Sequence, residues 1–181
     1  VDAYSEIELP IEDGDMDTIA APIDFLGLNF YWEDVVRHDA DHPEGFVLEE
    51  QYQESTEMGW PITPRGLYRH LRWVQHYTGD LPLYITENGA AMPDELSGDG
   101  EHCHDPRRIS YLREHLEACR DAIEAGVPLR GYFLWSLIDN FEWSYGYTKR
   151  FGIVYCDYVN LRRVPKDSFF FYRDVIAGHE T

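Results

Sequence analysis

The sequence predicts an α/β protein built on a parallel sheet. Three short runs are almost wholly apolar: Ile23 to Tyr31, Leu81 to Thr86, and Leu129 to Leu137. Strands buried on both faces read in this way. The segments between and after them carry apolar residues at helical spacing, which gives the order strand–helix–strand–helix–strand–helix. Two consecutive βαβ units suit either an open doubly wound sheet or a closed barrel. No Gly-x-Gly-x-x-Gly follows any of the strands, so a dinucleotide fold has no positive support.

Residues 1–21 are acidic and aperiodic, the pattern of a loop with at most a short helix. The first strand follows. Residues 33–60 are long and polar, with Pro43 and Gly45, and read as one extended loop of the kind that usually serves function. Thr63-Pro64 then starts a helix, a hydroxyl cap followed by proline at the first helical position. Leu67, Leu71, Val74 and Tyr77 form its apolar stripe and Gly79 closes it. The second strand ends in Glu87-Asn88-Gly89, and residues 90–104 form a loop. Asp105-Pro106 repeats the cap-plus-proline signal. Ile109, Leu112, Leu116, Cys119 and Ile123 make the next stripe, and Gly126 ends it. After the third strand, residues 151–156 read as a short strand and 164–176 as a final helix. There is no short repeat and no second domain is expected within residues 1–181.

Charge narrows the function. The formal net charge is −19. Residues 1–60 carry 17 Asp and Glu against one base, Arg37. Nucleic acids and anionic membranes need basic patches, so neither is expected as a partner. Cys103, Cys119 and Cys156 are an odd count without tight spacing, read as free thiols in a reducing cytoplasm. No basic segment followed by an apolar run opens the chain, and no run reaches the length of a membrane span. The expected location is cytoplasmic. Glu101-His102-Cys103-His104-Asp105 holds metal-type side chains, but neighbours in a chain do not readily close around one ion, so no metal is expected.

The chemistry gathers at the strand ends: Asn29 and Tyr31, then Glu87 and Asn88, then Trp135 with Asp139 and Asn140. A carboxylate behind four apolar residues costs desolvation energy unless partners satisfy it. Read alone, Glu87 suits a structural carboxylate as well as a catalytic one, and Trp135 suits core packing as well as a sugar platform.

Longer stretches carry a resemblance. Ile85-Thr86-Glu87-Asn88-Gly89 resembles the nucleophile motif of family 1 glycoside hydrolases. Asp24 to Tyr31, Met58-Gly59-Trp60 with Pro64 to Leu67, Arg130 to Trp143, Gly146 to Ile153 and Pro165 to Phe169 resemble further segments of that family, in family order. The resemblance covers roughly residues 20–176 and implies part of a (β/α)8 TIM barrel, strands six to eight with their helices, the C-terminal part of the family's chain. The implied activity is that of a retaining β-glycosidase of the β-glucosidase type. Glu87 would be the nucleophile, Tyr31 would hold and orient it, and Asn29 would support the same network. Trp135 would be the platform under the sugar, followed by a cis peptide to Ser136. Glu142 would accept hydrogen bonds from the 4- and 6-hydroxyls, and Trp143 would donate to the 3-hydroxyl. Trp60 would line the aglycone side. An acid at Glu142 would repel a phosphate, so the implied substrates are unphosphorylated β-glucosides or related β-glycosides. No cofactor is implied.

The family's acid/base motif, Thr-Phe/Leu-Asn-Glu-Pro, is absent from the chain. The resemblance therefore implies that an N-terminal part of the barrel, or another copy of the chain, supplies the missing groups. A fragment of an enzyme, half of a split barrel and a remnant with a carbohydrate-binding or structural role all fit. A three-stranded parallel piece should leave two edges open and one sheet face uncovered.

Overall fold

The computed structural model describes residues 10–49 and 54–179. Three parallel strands form its centre: β1 (Leu26–Asn29), β4 (Leu83–Asn88) and β5 (Leu129–Leu134), in the sheet order β1-β4-β5. Leu26, Gly27 and Leu28 pair with Leu83, Tyr84 and Ile85, and a shift of register then brings Asn29 opposite Glu87. Helix α2 (Pro64–Thr78) crosses from β1 to β4, and α3 (Pro106–Glu124) crosses from β4 to β5.

Both helices lie on one face of the sheet. Leu67, Leu71 and Val74 of α2 share a core with Cys119 and Ala122 of α3 and with Leu83, Ile85 and Leu129 of the strands. A doubly wound sheet puts helices on both faces and reverses its strand order. Sequential order with helices on one side is the arrangement of a barrel wall. Alternation along β4 follows from this: Leu83 and Ile85 are fully buried among the helices, whereas Thr86 is exposed. On β5, Phe133 remains 58 % exposed. Strands β1 and β5 each have a single neighbour, so both edges are open among the described residues, as expected.

The remaining elements agree with the sequence reading except in the 33–60 stretch and at the end of the third strand. A short helix, α1 (Asp15–Ile19), precedes the sheet, while residues 1–9 lie outside the described residues. The stretch from 33 to 60, expected as one loop, contains a hairpin in which β2 (Val36–His38) pairs antiparallel with β3 (Phe46–Leu48). Its residues 50–53 are also outside the described part. The third strand stops at Leu134. The Trp135–Ser136 peptide is cis, as the resemblance implies, and the chain turns there to bond a later segment, Ile153 N–H to Ser136 O at 3.0 Å and Val154 N–H to Leu137 O at 2.9 Å. That segment is β6 (Val154–Cys156), paired with β7 (Arg163–Pro165) and followed by α4 (Asp167–Ile176).

The two helix starts fall where proline places them, yet neither expected side-chain cap forms. Thr63 Oγ1 accepts instead from the Glu33 amide at 3.0 Å, joining α2 to the end of the β1 segment. Asp105 bonds the Arg108 side chain of its own helix and also accepts from the amide of Ser168 in the first turn of α4 at 2.8 Å. The Ser168 amide is buried, where an unpaired donor is expensive, and Asp105 satisfies it. Within residues 101–105, Glu101 pairs with Arg162, His104 with Asp167, and Cys103 is buried. Cys119 and Cys156 are also buried and free.

Candidate active site

At the C-terminal ends of the strands, β1, β4 and β5 deliver their polar residues to one edge of the sheet. The Tyr31 hydroxyl donates to Glu87 Oε2 at 2.8 Å across 56 residues of sequence. Burial raises the pKa of Tyr31, and the hydrogen bond to Glu87 and the charges of Glu87 and Glu142 raise it further, so Tyr31 keeps its proton and acts as a donor. Glu142 also titrates above the usual carboxylate range, because of partial burial and the nearby charge of Glu87. Two carboxylates and a phenol thus share one electrostatic field.

Aromatic rings wall this group. Trp60 lies 5.2 Å from the Tyr31 ring and stacks on Trp32 at 4.6 Å. Phe151 meets Tyr31 edge-on at 6.2 Å and Trp60 at 6.0 Å. Trp135 follows the end of β5, half-buried, with its amide donating to Asn88 O at 2.9 Å. Gly89 is required at this junction: a Cβ there would stand 1.7 Å from the Trp135 carbonyl oxygen. Glu142 caps a 3-10 turn, Trp143–Tyr145, and Trp143 is 81 % exposed at the rim. Asn29 lies beside Glu87 in register, but its Oδ1 accepts from Thr86 Oγ1 at 2.7 Å. Asn29 thus borders the Tyr31–Glu87 pair through Thr86, the residue before Glu87 on the neighbouring strand.

The sequence reading missed the ionic network that supports these loops. Arg108 donates to Asp94 at 2.9 and 2.7 Å and also bonds Asp105. Lys166 donates to Asp94 at 2.5 Å and Asp139 at 2.9 Å, and Arg150 donates to Asp139 at 2.6 Å. Burial opposes the charge on Arg108, but the bonds and charges of Asp94 and Asp105 outweigh it and raise its pKa. Asp94 lies in the loop after β4, and Asp139 precedes Glu142 in the loop after β5, so the network fixes both loops to α3 and α4. Only the helical position of Arg108, three residues beyond Asp105, hinted at it.

Residues 3–181 match the family model described as Glycosyl hydrolase family 1. The chain belongs to glycosyl hydrolase family 1. It is 48 % identical to a 1,4-β-D-glucan glucohydrolase of Thermotoga neapolitana over 91 % of its length, which is 37 % of that relative. It is also 48 % identical to a bifunctional β-D-glucosidase/β-D-fucosidase of Bifidobacterium breve, covering 92 % of this chain and 40 % of the relative. Among solved structures, a family 1 β-glucosidase from Thermotoga maritima matches with a TM-score of 0.86 and 47 % identity, over 92 % of this chain and 38 % of that one. The family 1 chain thus spans a little over a third of the length of its relatives. That likeness agrees with the barrel-wall arrangement of its three strands and two crossing helices. No helix among its described residues is long and apolar enough to cross a membrane.

Proposed function

We propose that this family 1 chain carries the nucleophilic half of a retaining β-glycosidase acting on unphosphorylated β-glucosides or related β-glycosides. The observation that carries the reading is the 2.8 Å bond from Tyr31 to Glu87, at the end of the middle strand and within reach of the charge of Glu142. In this reading the three strands are the sixth to eighth of the barrel, an assignment that rests on the order of their motifs.

Glu87 attacks the anomeric carbon as the bond to the leaving oxygen breaks. A second carboxyl, about 5–5.5 Å away, protonates that oxygen. This acid/base comes from the rest of the barrel. It then takes a proton from water, which displaces the sugar and frees Glu87. Tyr31 holds the attacking oxygen in line, which lowers the entropic part of the barrier. Trp135 presents an aromatic face to the C–H face of the ring. Glu142 accepts from the 4- and 6-hydroxyls, and Trp143, free at the rim, donates to the 3-hydroxyl. Asn29, held by Thr86, borders the same sugar. Trp60, stacked on Trp32, lines the aglycone side. A carboxylate at Glu142 repels a 6-phosphate, which supports unphosphorylated sugars.

The test is an intact-mass measurement after incubation with an activated 2-deoxy-2-fluoro-β-glucoside, on the full-length gene product and on the 181-residue chain. The expected result is one fluoroglucosyl unit mapped to Glu87 in the full-length protein, and none after Glu87→Gln. Full turnover of an aryl β-glucoside by Glu87→Gln overturns the reading. A labelled 181-residue chain shows that its site assembles alone. Sugar binding without any label favours a non-catalytic carbohydrate-binding role.

A further inference from the structure

The residue after the proposed nucleophile has both polar atoms of its side chain bonded within the protein. Asn88 is fully buried. Its amide nitrogen donates to Phe30 O at 2.7 Å and to the Tyr111 hydroxyl at 2.9 Å. Its amide oxygen accepts from the Tyr132 hydroxyl at 2.5 Å. Its main-chain oxygen accepts from the Trp135 amide at 2.9 Å, and the Phe30 amide donates to Glu87 O at 2.9 Å. Residue 88 therefore fastens the segment after β1, helix α3 and strand β5 to the end of β4. The three strand ends it joins carry Tyr31, Glu87 and Trp135. An amide is the one small side chain with two donors and an acceptor on a planar fork, and each is used toward a different element.

We propose that Asn88 is a positioning residue for the Tyr31–Glu87 pair: by holding the Phe30 carbonyl it fixes the Phe30–Tyr31 peptide, and with it the distance from the Tyr31 hydroxyl to the Glu87 carboxylate. The inference rests on Glu87 being the nucleophile. Asn88 itself faces into the wall and touches no substrate. The pull on Phe30 is one-sided, because the main-chain amide of Phe30 is already committed to Glu87 O on the same strand. That amide belongs to the preceding peptide, so releasing the carbonyl lets the Phe30–Tyr31 peptide plane turn about the Phe30 Cα–C bond, and the phenol at residue 31 swings with it. Burial makes the clamp stiff, since a released carbonyl in this place finds no water to replace the amide.

A scaffold role and a positioning role differ in what they do to chemistry and to binding. The experiment measures the full-length enzyme with the activated 2-deoxy-2-fluoro-β-glucoside, separating the trapping rate constant from the affinity for the sugar, in a double-mutant cycle with Tyr31→Phe. Asn88→Ala is expected to slow trapping about ten- to a hundredfold, the range for a displaced hydrogen bond to a charged group. The affinity should change less than about threefold. In the Tyr31→Phe background the same substitution should slow trapping less than about threefold, because the phenol it positions is gone. If Asn88→Ala fails to fold, Tyr111→Phe, which frees one of the two donors, enters the same cycle with a smaller effect of the same pattern. Equal slowing in both Tyr31 backgrounds, or a loss confined to affinity, overturns the proposal. Absence of label on Glu87 in the otherwise unaltered enzyme is a separate result and overturns the nucleophile reading instead.

Discussion

Replacing Lys166 by Met tests whether the buried ions beneath the site act as a balanced set. The network holds three cations, Arg108, Arg150 and Lys166, and three carboxylates, Asp94, Asp105 and Asp139. Lys166, Asp94 and Asp139 have fully buried side chains. Met has nearly the length of Lys and fills its place, so packing changes little and charge changes by one. The set becomes net negative, and one oxygen on each of Asp94 and Asp139 loses its ammonium partner. Breaking a buried pair in this way costs about 3–5 kcal/mol, more than the pair's net worth, because the remaining charge has no water to turn to. The assay is urea unfolding of the full-length protein followed by tryptophan fluorescence, with the slope checked for constancy. A second substitution, Asp94→Asn, restores neutrality, and Lys166→Met with Asp94→Asn should recover about 1–2 kcal/mol of the loss. A double variant as unstable as the sum of the two singles refutes the argument from balance and leaves only the lost hydrogen bonds.

Further outcomes follow from the same geometry. Tyr31→Phe removes a donor from a charged acceptor and should lower kcat/KM for an aryl β-glucoside about ten- to a hundredfold, with unfolding little changed; a change below threefold counts against the bond's role. Gly89→Ala forces a Cβ against the Trp135 carbonyl and should slow trapping at Glu87 about a hundredfold through displacement of the two strand ends; wild-type trapping would show that the junction yields. His115 is buried against Tyr111, its Nε2 has no hydrogen-bond partner among the described residues, and burial pushes its pKa down to about 4. Since the folded value lies below the unfolded one, the stability it contributes is complete above about pH 6.5 and lost as pH falls toward 4, by about 3 kcal/mol in all. His115→Phe should flatten that part of the pH–stability curve measured by urea unfolding, and an unchanged slope refutes the assignment.

The wall of the barrel was legible because its signals are local. Prolines 64 and 106 mark the helix starts, and the apolar runs Ile23 to Tyr31, Leu81 to Thr86 and Leu129 to Leu137 mark the strands to within a few residues. What was not legible depends on contacts between distant residues. Asp94 and Lys166 stand 72 residues apart, and each looks like an ordinary surface charge in sequence. Asp105 and Thr63 read as caps because capping is the local use of such side chains; their actual partners, Ser168 and Glu33, come from other elements. The hairpin of Val36–His38 and Phe46–Leu48 escaped because its strands are three residues long and largely exposed, with no buried face to impose alternation. At the site, Glu87, Tyr31, Trp60 and Glu142 were found by motif and lie together, and Asn29 stands beside Glu87 in register with its Oδ1 bonded to Thr86. Phe151 and Asn88 lie within the motifs, but what each does there is set by distant partners, the Tyr31 and Trp60 rings for one and Phe30, Tyr111 and Tyr132 for the other.

Among the described residues the sheet is covered by helices on one face and has two open strand edges. Whatever covers the other face brings with it the partner carboxyl that the proposed reaction needs, so docking and catalysis become a single event. Expressed as two polypeptides, such a barrel is a proximity detector: turnover of a chromogenic glucoside would count encounters between its halves, and proteins fused to them could be screened for association by colour.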